Sequence, residues 1–417
     1  MEVYKFGGAS VKDAAGVRNL AKIIALNIDK QLLIVVSAMG KTTNALEAIT
    51  AAYIREDNSA HSLLEELREY HHNILTELFE DVHHPVFDEV ANTFVEVEWM
   101  LEDEPHPDYG FNYDQIVSIG ELLSSRIVNA YLNFKSLKST WLDARGYILT
   151  DNTYREGVVD WEKTCRGIAT ATKLQDQLIV TQGFLGGTSE NFTTTLGREG
   201  SDYSAAIFAA CLNAERVTIW KDVPGVLNAD PKLFMDTHKY LELPYSEAME
   251  MSYYGATVIH PKTIKPLQNL NIPLFVKPFL SPEEAGTVIN RNAVVNRDFP
   301  AIIVKQNQVL ASISTKDLSF VSEDHLSDIF KAFAHSNIKI NMMQVSALSF
   351  SACFDEDQEK FKTLLRALEA AFKIKYNRYL QLLTIRHYKP ETIDQLSSGK
   401  TVLMEQLSRN TAQLVLK

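Results

Sequence analysis

At 417 residues the chain exceeds what one hydrophobic core usually organises, so a large domain with a smaller second one is expected. Apolar residues make up 46% and charged residues 23%, a globular balance that excludes a disordered or fibrous chain. A net charge of −12 and a pI near 5.5 exclude attraction to nucleic acid or anionic membrane through dense positive charge, and leave small molecules and a second copy of the chain as expected partners.

Met1 to Phe6 reads as an alternating strand without the basic and apolar regions of a secretory leader. No run of about 18 apolar residues occurs, so neither export nor a spanning helix is expected, and the cytoplasm is. Short apolar strands are predicted at Val3 to Phe6, Leu32 to Val36, Thr140 to Asp143, Leu178 to Thr181, Arg216 to Trp220 and Pro273 to Val276. Amphipathic segments between them give the rhythm of an α/β sheet with helices on both faces. Residues 59 to 102 hold two long helical patterns broken before Pro85, a packed helical hairpin. Its doublets His71-His72 and His83-His84 are too far apart to share an ion, since 11 residues span about 16 Å of helix; solvated histidines are expected. Cys165, Cys211 and Cys353 are widely spaced and lie outside any C-x-x-C pattern, so they read as small buried hydrophobes in a reducing compartment.

The texture changes after Asn296. Strand-like Val309 to Ser314, helical Leu326 to Ala334, strand-like Ile338 to Val345 and Ser349 to Phe354, helical Lys360 to Ala371, and strands near Tyr379 to Ile385 and Ala412 to Leu416 follow. This is the β-α-β-β-α-β order of a ferredoxin-like unit. A boundary is expected near 297 to 301, giving domains at 1–296 and 301–417.

Three runs carry candidate chemistry. Lys5-Phe6-Gly7-Gly8-Ala9-Ser10 follows a strand with a lysine and two glycines, an anion-binding turn or a simple strand-to-helix turn. Thr193-Thr194-Thr195-Leu196-Gly197-Arg198-Glu199-Gly200-Ser201-Asp202 gathers hydroxyls, a guanidinium and a carboxylate before the apolar helix around Ala205 to Cys211. That arrangement suits an anionic substrate, and Ser201 or Asp202 can also cap the helix. Trp220 to Lys232 is a strand, a Pro-Gly turn and an Asp-Pro loop, by itself a turn. Gly40-Lys41-Thr42 is not a P-loop, because Val35 stands where that motif needs glycine.

In this order and spacing the three runs, with Gly255-Ala256-Thr257-Val258-Ile259-His260-Pro261, closely resemble the aspartokinases of the amino acid kinase superfamily over roughly residues 3 to 280. The resemblance implies a three-layer α/β/α kinase domain, then a ferredoxin-like ACT pair with a shortened second unit that supports a homodimer. It implies phosphorylation of aspartate by MgATP to 4-phospho-aspartate, the first step toward lysine, threonine and methionine. Carried over residue by residue, Lys5 and Asp202 are the catalytic pair, with Lys5 neutralising the transferring phosphoryl and Asp202 orienting it. Gly7, Gly8 and Ser10 cradle phosphates, and Lys221, Asp222, Asp230 and Lys232 bind the nucleotide. Arg198 grips the α-carboxylate and Glu121 reads the amino group, with Ser37, Thr43, Phe184 and Ser201 completing the acceptor pocket. Mg²⁺ is expected on the ATP phosphates, with no dedicated protein cluster.

Lys232 stands in place of the usual arginine, Thr257 in place of a lysine, Glu199 in place of a glycine and Ala9 in place of a threonine. Asn341 and Ala347 occupy positions that lysine-inhibited relatives fill with carboxylates, so weakened lysine feedback is expected. Another acceptor such as glutamate, a nucleotide or carbamate, and a silent amino-acid sensor, are the competing readings. The aspartokinase reading requires the Lys5 turn and the Arg198 to Asp202 loop to converge on one cleft.

Overall fold

The computed structural model describes residues 1–173, 178–256, 259–317 and 319–417; Thr257 lies outside them. The chain divides into two compact units, Met1–Val226 with Lys239–Met249 and Val258–Val295, and Leu227–His238 with Glu250–Thr257 and Asn296–Lys417.

The strands of the first unit are β1 (Glu2–Phe6), β2 (Leu32–Val36), β3 (Ser139–Leu142), β4 (Leu178–Gln182), β5 (Leu185–Gly187), β6 (Thr193–Thr195), β7 (Arg216–Lys221), β8 (Glu242–Pro244), β9 (Leu274–Pro278) and β10 (Thr287–Asn290). Eight form a sheet in the order β3-β4-β2-β1-β7-β9-β10-β8, and β5 and β6 make a separate hairpin. From β3 to β9 every pairing is parallel, and β10 runs antiparallel to β9. Every residue of β1, β2 and β4 is buried; β2 accordingly reads as a continuous apolar run, whereas Glu2 and Lys5 give β1 its alternation. Phe6 pairs with Val36 and with Trp220, and Val36 with Gln182. Four strands therefore end level, and the loops that follow them open on one edge of the sheet, where ligands of open α/β folds gather.

Helices α1 (Ala14–Ala25), α2 (Thr42–Ile54), α3 (Ser59–Leu78), α4 (Val86–Glu102), α5 (Tyr109–Val117), α6 (Ile119–Phe134), α7 (Trp161–Lys173), α8 (Gly200–Leu212), α9 (Tyr245–Tyr254) and α10 (Pro261–Leu270) complete this part of the chain. One apolar core joins α1 to α6 with the central strands. The hairpin of α3 and α4 is present, tied by an ion pair between Arg68 and Glu98. His71 is corrected: it is fully buried, with Nδ1 2.9 Å from the Leu67 carbonyl and Nε2 3.4 Å from Thr42 Oγ1. Burial pushes its pKa down to about 4, so it is a neutral core residue. The reading of Cys165 and Cys211 as small buried hydrophobes in a reducing compartment is also corrected, because α7 and α8 pack together and a disulfide joins the two half-buried cysteines at a Cα separation of 4.5 Å. Cys353 is free and buried.

The second unit contains β11 (Ala301–Thr315), α11 (Glu323–His335), β12 (Ile340–Val345), β13 (Phe350–Asp355), α12 (Gln358–Leu368), β14 (Phe372–Arg386), α13 (Pro390–Ser397), β15 (Val402–Leu407) and β16 (Thr411–Leu416), with strand order β12-β13-β11-β14-β16-β15. The long β11 and β14 pair antiparallel, with register shifts around Gln308. The residues of β11 after that shift pair with β13, and the first part of β14 closes the βαββαβ set. Helix α13 and strand β15 escaped the sequence reading because α13 buries no residue and β15 only one, so neither has a strong apolar period.

Among the described residues no helix is long and apolar enough to cross a membrane.

Candidate active site

The level strand ends bring several separate segments to one cleft of about 870 Å³. Lys5 is the last but one residue of β1, and its buried ammonium lies 2.6 Å from Asp202 Oδ1 in an ion pair. Lys221, at the end of β7, lies 3.3 Å from the other oxygen of the same carboxylate. Asp202 sits in the first turn of α8, where the helix macrodipole also favours negative charge. Burial pushes its pKa up, but Lys5 and Lys221 outweigh that and hold it below the ordinary value. One ionised carboxylate thus positions two ammonium groups.

Close approach of the loops depends on glycine. A Cβ on Gly8 would stand 2.5 Å from the Ala38 carbonyl oxygen, and the Gly40 amide donates to the Gly8 carbonyl at 3.0 Å. The turn after β1 is thereby held against the turn after β2. Gly7 and Ser10 are not part of the cleft wall, although a Cβ on Gly7 would lie 3.6 Å from Lys5 Nζ, and Ser10 is buried behind it.

Glu121, near the start of α6, is buried in the wall, with Oε1 accepting from the Ala38 amide at 3.2 Å and Oε2 without a hydrogen-bond partner. Burial raises its pKa to about 8 against the pull of the Ala38 amide and Lys5. Ser37, Thr43, Phe184, Arg198 and Ser201 line the same cleft. Phe184 adopts a left-handed φ of 67°, and its amide donates to Ser204 Oγ at 2.9 Å, which ties the turn after β4 to α8.

The structure does not bring every expected residue here. Asp222 is exposed and outside the cleft wall. Asp230 and Lys232 belong to the second unit, where both are exposed and Asp230 Oδ1 accepts from the Lys232 amide at 2.9 Å, the turn role. Conversely, Tyr113, Arg155, Glu156 and Glu199 line the cleft without having been singled out as site residues. Glu199 was legible as a departure from a glycine, and its left-handed φ of 54° is the conformation that glycine would supply. Its Oε2 is buried without a hydrogen-bond partner, and burial raises its pKa. Arg155 carried no signal in its spacing.

A model of the amino acid kinase family matches residues 1–278. The chain is 28% identical to the lysine-sensitive aspartokinase 3 of Escherichia coli strain K12 over 394 residues, covering 92% of this chain and 86% of that one. It is 30% identical to the chloroplastic bifunctional aspartokinase/homoserine dehydrogenase of Daucus carota over 386 residues, covering 89% of this chain but only 42% of that relative. The crystal structure of E. coli aspartokinase III in complex with aspartate and ADP matches with a TM-score of 0.84 at 25% identity, covering all of this chain and 96% of that one.

Proposed function

The chain belongs to the amino acid kinase family, and on that premise we propose that it is an aspartate kinase, transferring the γ-phosphoryl group of ATP to the side-chain carboxylate of L-aspartate. The observation that carries the reading is the pair of Lys5, which is buried, and Lys221, which is half-buried, held by buried Asp202 in the same cleft as Glu121 and Arg198. A carboxylate oxygen of aspartate attacks the γ-phosphorus, the bond to the β-phosphate oxygen breaks, and ADP leaves with the electron pair. The acceptor is already ionised at neutral pH, so no general base is needed. Lys5 and Lys221 offset the charge that spreads over the phosphoryl oxygens, and Asp202 fixes them there before substrate arrives. The unpartnered oxygen of Glu121 suits the α-ammonium group and Arg198 the α-carboxylate, with Ser37, Thr43, Phe184 and Ser201 around them.

Gly8 in the first turn, together with Lys221, is assigned to the phosphates; Gly7, Ser10, Asp222, Asp230 and Lys232 keep a nucleotide role only by resemblance. Mg²⁺ bound on the ATP phosphates would add charge neutralisation, and Glu199, whose Oε2 is a buried oxygen without a hydrogen-bond partner in the cleft wall, is the residue that would hold it. The β11 to β16 sheet is read as the paired ACT region, a homodimer contact in a cytoplasmic enzyme that opens lysine, threonine and methionine synthesis. Asn341 there is engaged with Lys305, Gln308 and Asp355, which favours weak lysine feedback. Strong inhibition by lysine or threonine at sub-millimolar concentration would overturn that part.

Incubation with aspartate, MgATP and hydroxylamine, which traps the acyl phosphate as a hydroxamate, tests the central reading. Hydroxamate with aspartate and not with glutamate or asparagine is expected, and its absence with aspartate refutes the assignment.

A further inference from the structure

Four cationic side chains line the cleft: Lys5, Lys221, Arg155 and Arg198. The two lysines share the Asp202 carboxylate. Among the described residues, neither arginine has a carboxylate within ion-pair distance, so both guanidinium groups are open to an anionic ligand.

Arg155 is also held in place. Its backbone adopts a left-handed φ of 69°, and its amide donates to Asp114 Oδ2 at 2.8 Å. The same fully buried carboxylate accepts from the Thr195 amide at 2.9 Å and from Thr195 Oγ1 at 2.7 Å. Asp114 therefore ties the turn that carries Arg155 to the strand that leads into Arg198. The Gly157 amide adds a second link by donating to the Thr195 carbonyl at 2.9 Å. The Arg155 guanidinium lies over two aromatic faces, 4.7 Å from the Tyr113 ring centroid and 5.4 Å from that of Tyr109. Stacking limits its rotamers while leaving its in-plane N–H donors available, the state in which guanidinium binds carboxylate with two parallel hydrogen bonds. Tyr113 is anchored in turn by donating from its hydroxyl to Glu47 Oε1 at 2.8 Å.

We propose that Arg155 is a second acceptor-binding guanidinium, gripping a carboxylate of the amino-acid substrate together with Arg198 and so setting the preference for a dicarboxylic acceptor. This rests on the aspartate kinase reading. Two guanidinium groups in one cleft match an acceptor that brings two carboxylates and one ammonium, whereas an amide or a neutral side chain leaves one guanidinium unanswered.

The test compares full-length wild type with Arg155→Ala, Arg155→Gln and Arg155→Lys by steady-state kinetics, by calorimetric titration with aspartate alone, and by thermal melting. Loss of a charge-assisted hydrogen bond is expected to weaken aspartate binding and raise its KM about ten- to hundredfold. The KM for ATP should stay within about twofold and the melting temperature should not move, because the clamp to Asp114 uses the backbone. Arg155→Lys should recover only part of the loss. An aspartate KM and titration unchanged in both Arg155→Ala and Arg155→Gln overturn the proposal, as does an equal rise in the KM for ATP. Wild type that forms no hydroxamate with aspartate removes the underlying function instead, and the inference with it.

Discussion

Two polar clusters, one in each unit, are arranged in opposite ways. At the carboxyl edge of the first sheet, Glu121 Oε2 and Glu199 Oε2 are buried and make no hydrogen bond. In the second unit a group that is only partly buried is satisfied internally: Lys305 Nζ donates to Asn341 Oδ1 at 2.9 Å, Asn341 Nδ2 to Gln308 Oε1 at 2.9 Å, and Gln308 Nε2 to Asp355 Oδ1 at 2.7 Å. Leaving a buried polar atom unpaired costs stability, so a cluster of such atoms persists where a ligand completes it. A closed network needs no ligand, and its residues serve the fold. The contrast separates a site from a scaffold without reference to any relative.

The largest expected effect comes from the first cluster. Lys5→Ala should lower kcat about 100- to 1,000-fold while the aspartate KM changes by less than about fivefold, since its ammonium acts mainly on charge that develops during transfer. Steady-state assays at saturating ATP measure this, and an unchanged kcat removes Lys5 from the reaction. Next in size is the disulfide, whose 46-residue loop encloses Phe184, Arg198, Ser201 and Asp202. Cys165→Ser should destabilise the first unit by about 2–4 kcal/mol, read as a lower denaturation midpoint. Thiol titration of the unfolded, unreduced protein should find Cys353 alone; three thiols would mean the bond does not form. A smaller change is expected from the closed network. Asn341→Leu leaves Gln308 short of a donor and should cost about 1–3 kcal/mol of stability, with kcat and both KM values unchanged. A kinetic effect without loss of stability would erase the distinction between the two clusters.

How much of this was legible in the sequence follows from the same physics. Strands β2 and β4 were readable as short, mainly apolar runs because both faces are buried, β1 by its alternation, and the Lys5 turn and the Arg198 loop because glycine and charge are conspicuous at strand ends. The pairing of Lys5 with Asp202 was anticipated as a convergence, and it is an ion pair. Arg155 was not readable, since its role comes from a fold-dependent clamp on Asp114, 41 positions earlier in the chain. Nor was the bond between Cys165 and Cys211, which depends on α7 packing on α8. His71 misled because its doublet looks polar, while only the period of α3 decides which of the two histidines faces inward.

The smallest expected effect is also the most direct reading of an unpartnered oxygen. Glu121 in the free protein titrates near 8 because burial disfavours its charged form. A carboxyl raised in this way binds its proton more tightly folded than unfolded. The stability this confers is complete below its ordinary pKa of 4.5 and is lost as pH rises through about 8. Binding an ammonium group requires the charged form, so aspartate binding must displace the proton below that pH. The apparent affinity for aspartate should therefore rise about fivefold between pH 7 and pH 8 and then level off. Glu121→Gln cannot ionise, so its aspartate KM should be higher and nearly flat over the same interval. If the wild-type KM is equally flat, the glutamate is already charged in the free enzyme, and the unpaired oxygen is no guide to where the amino group binds.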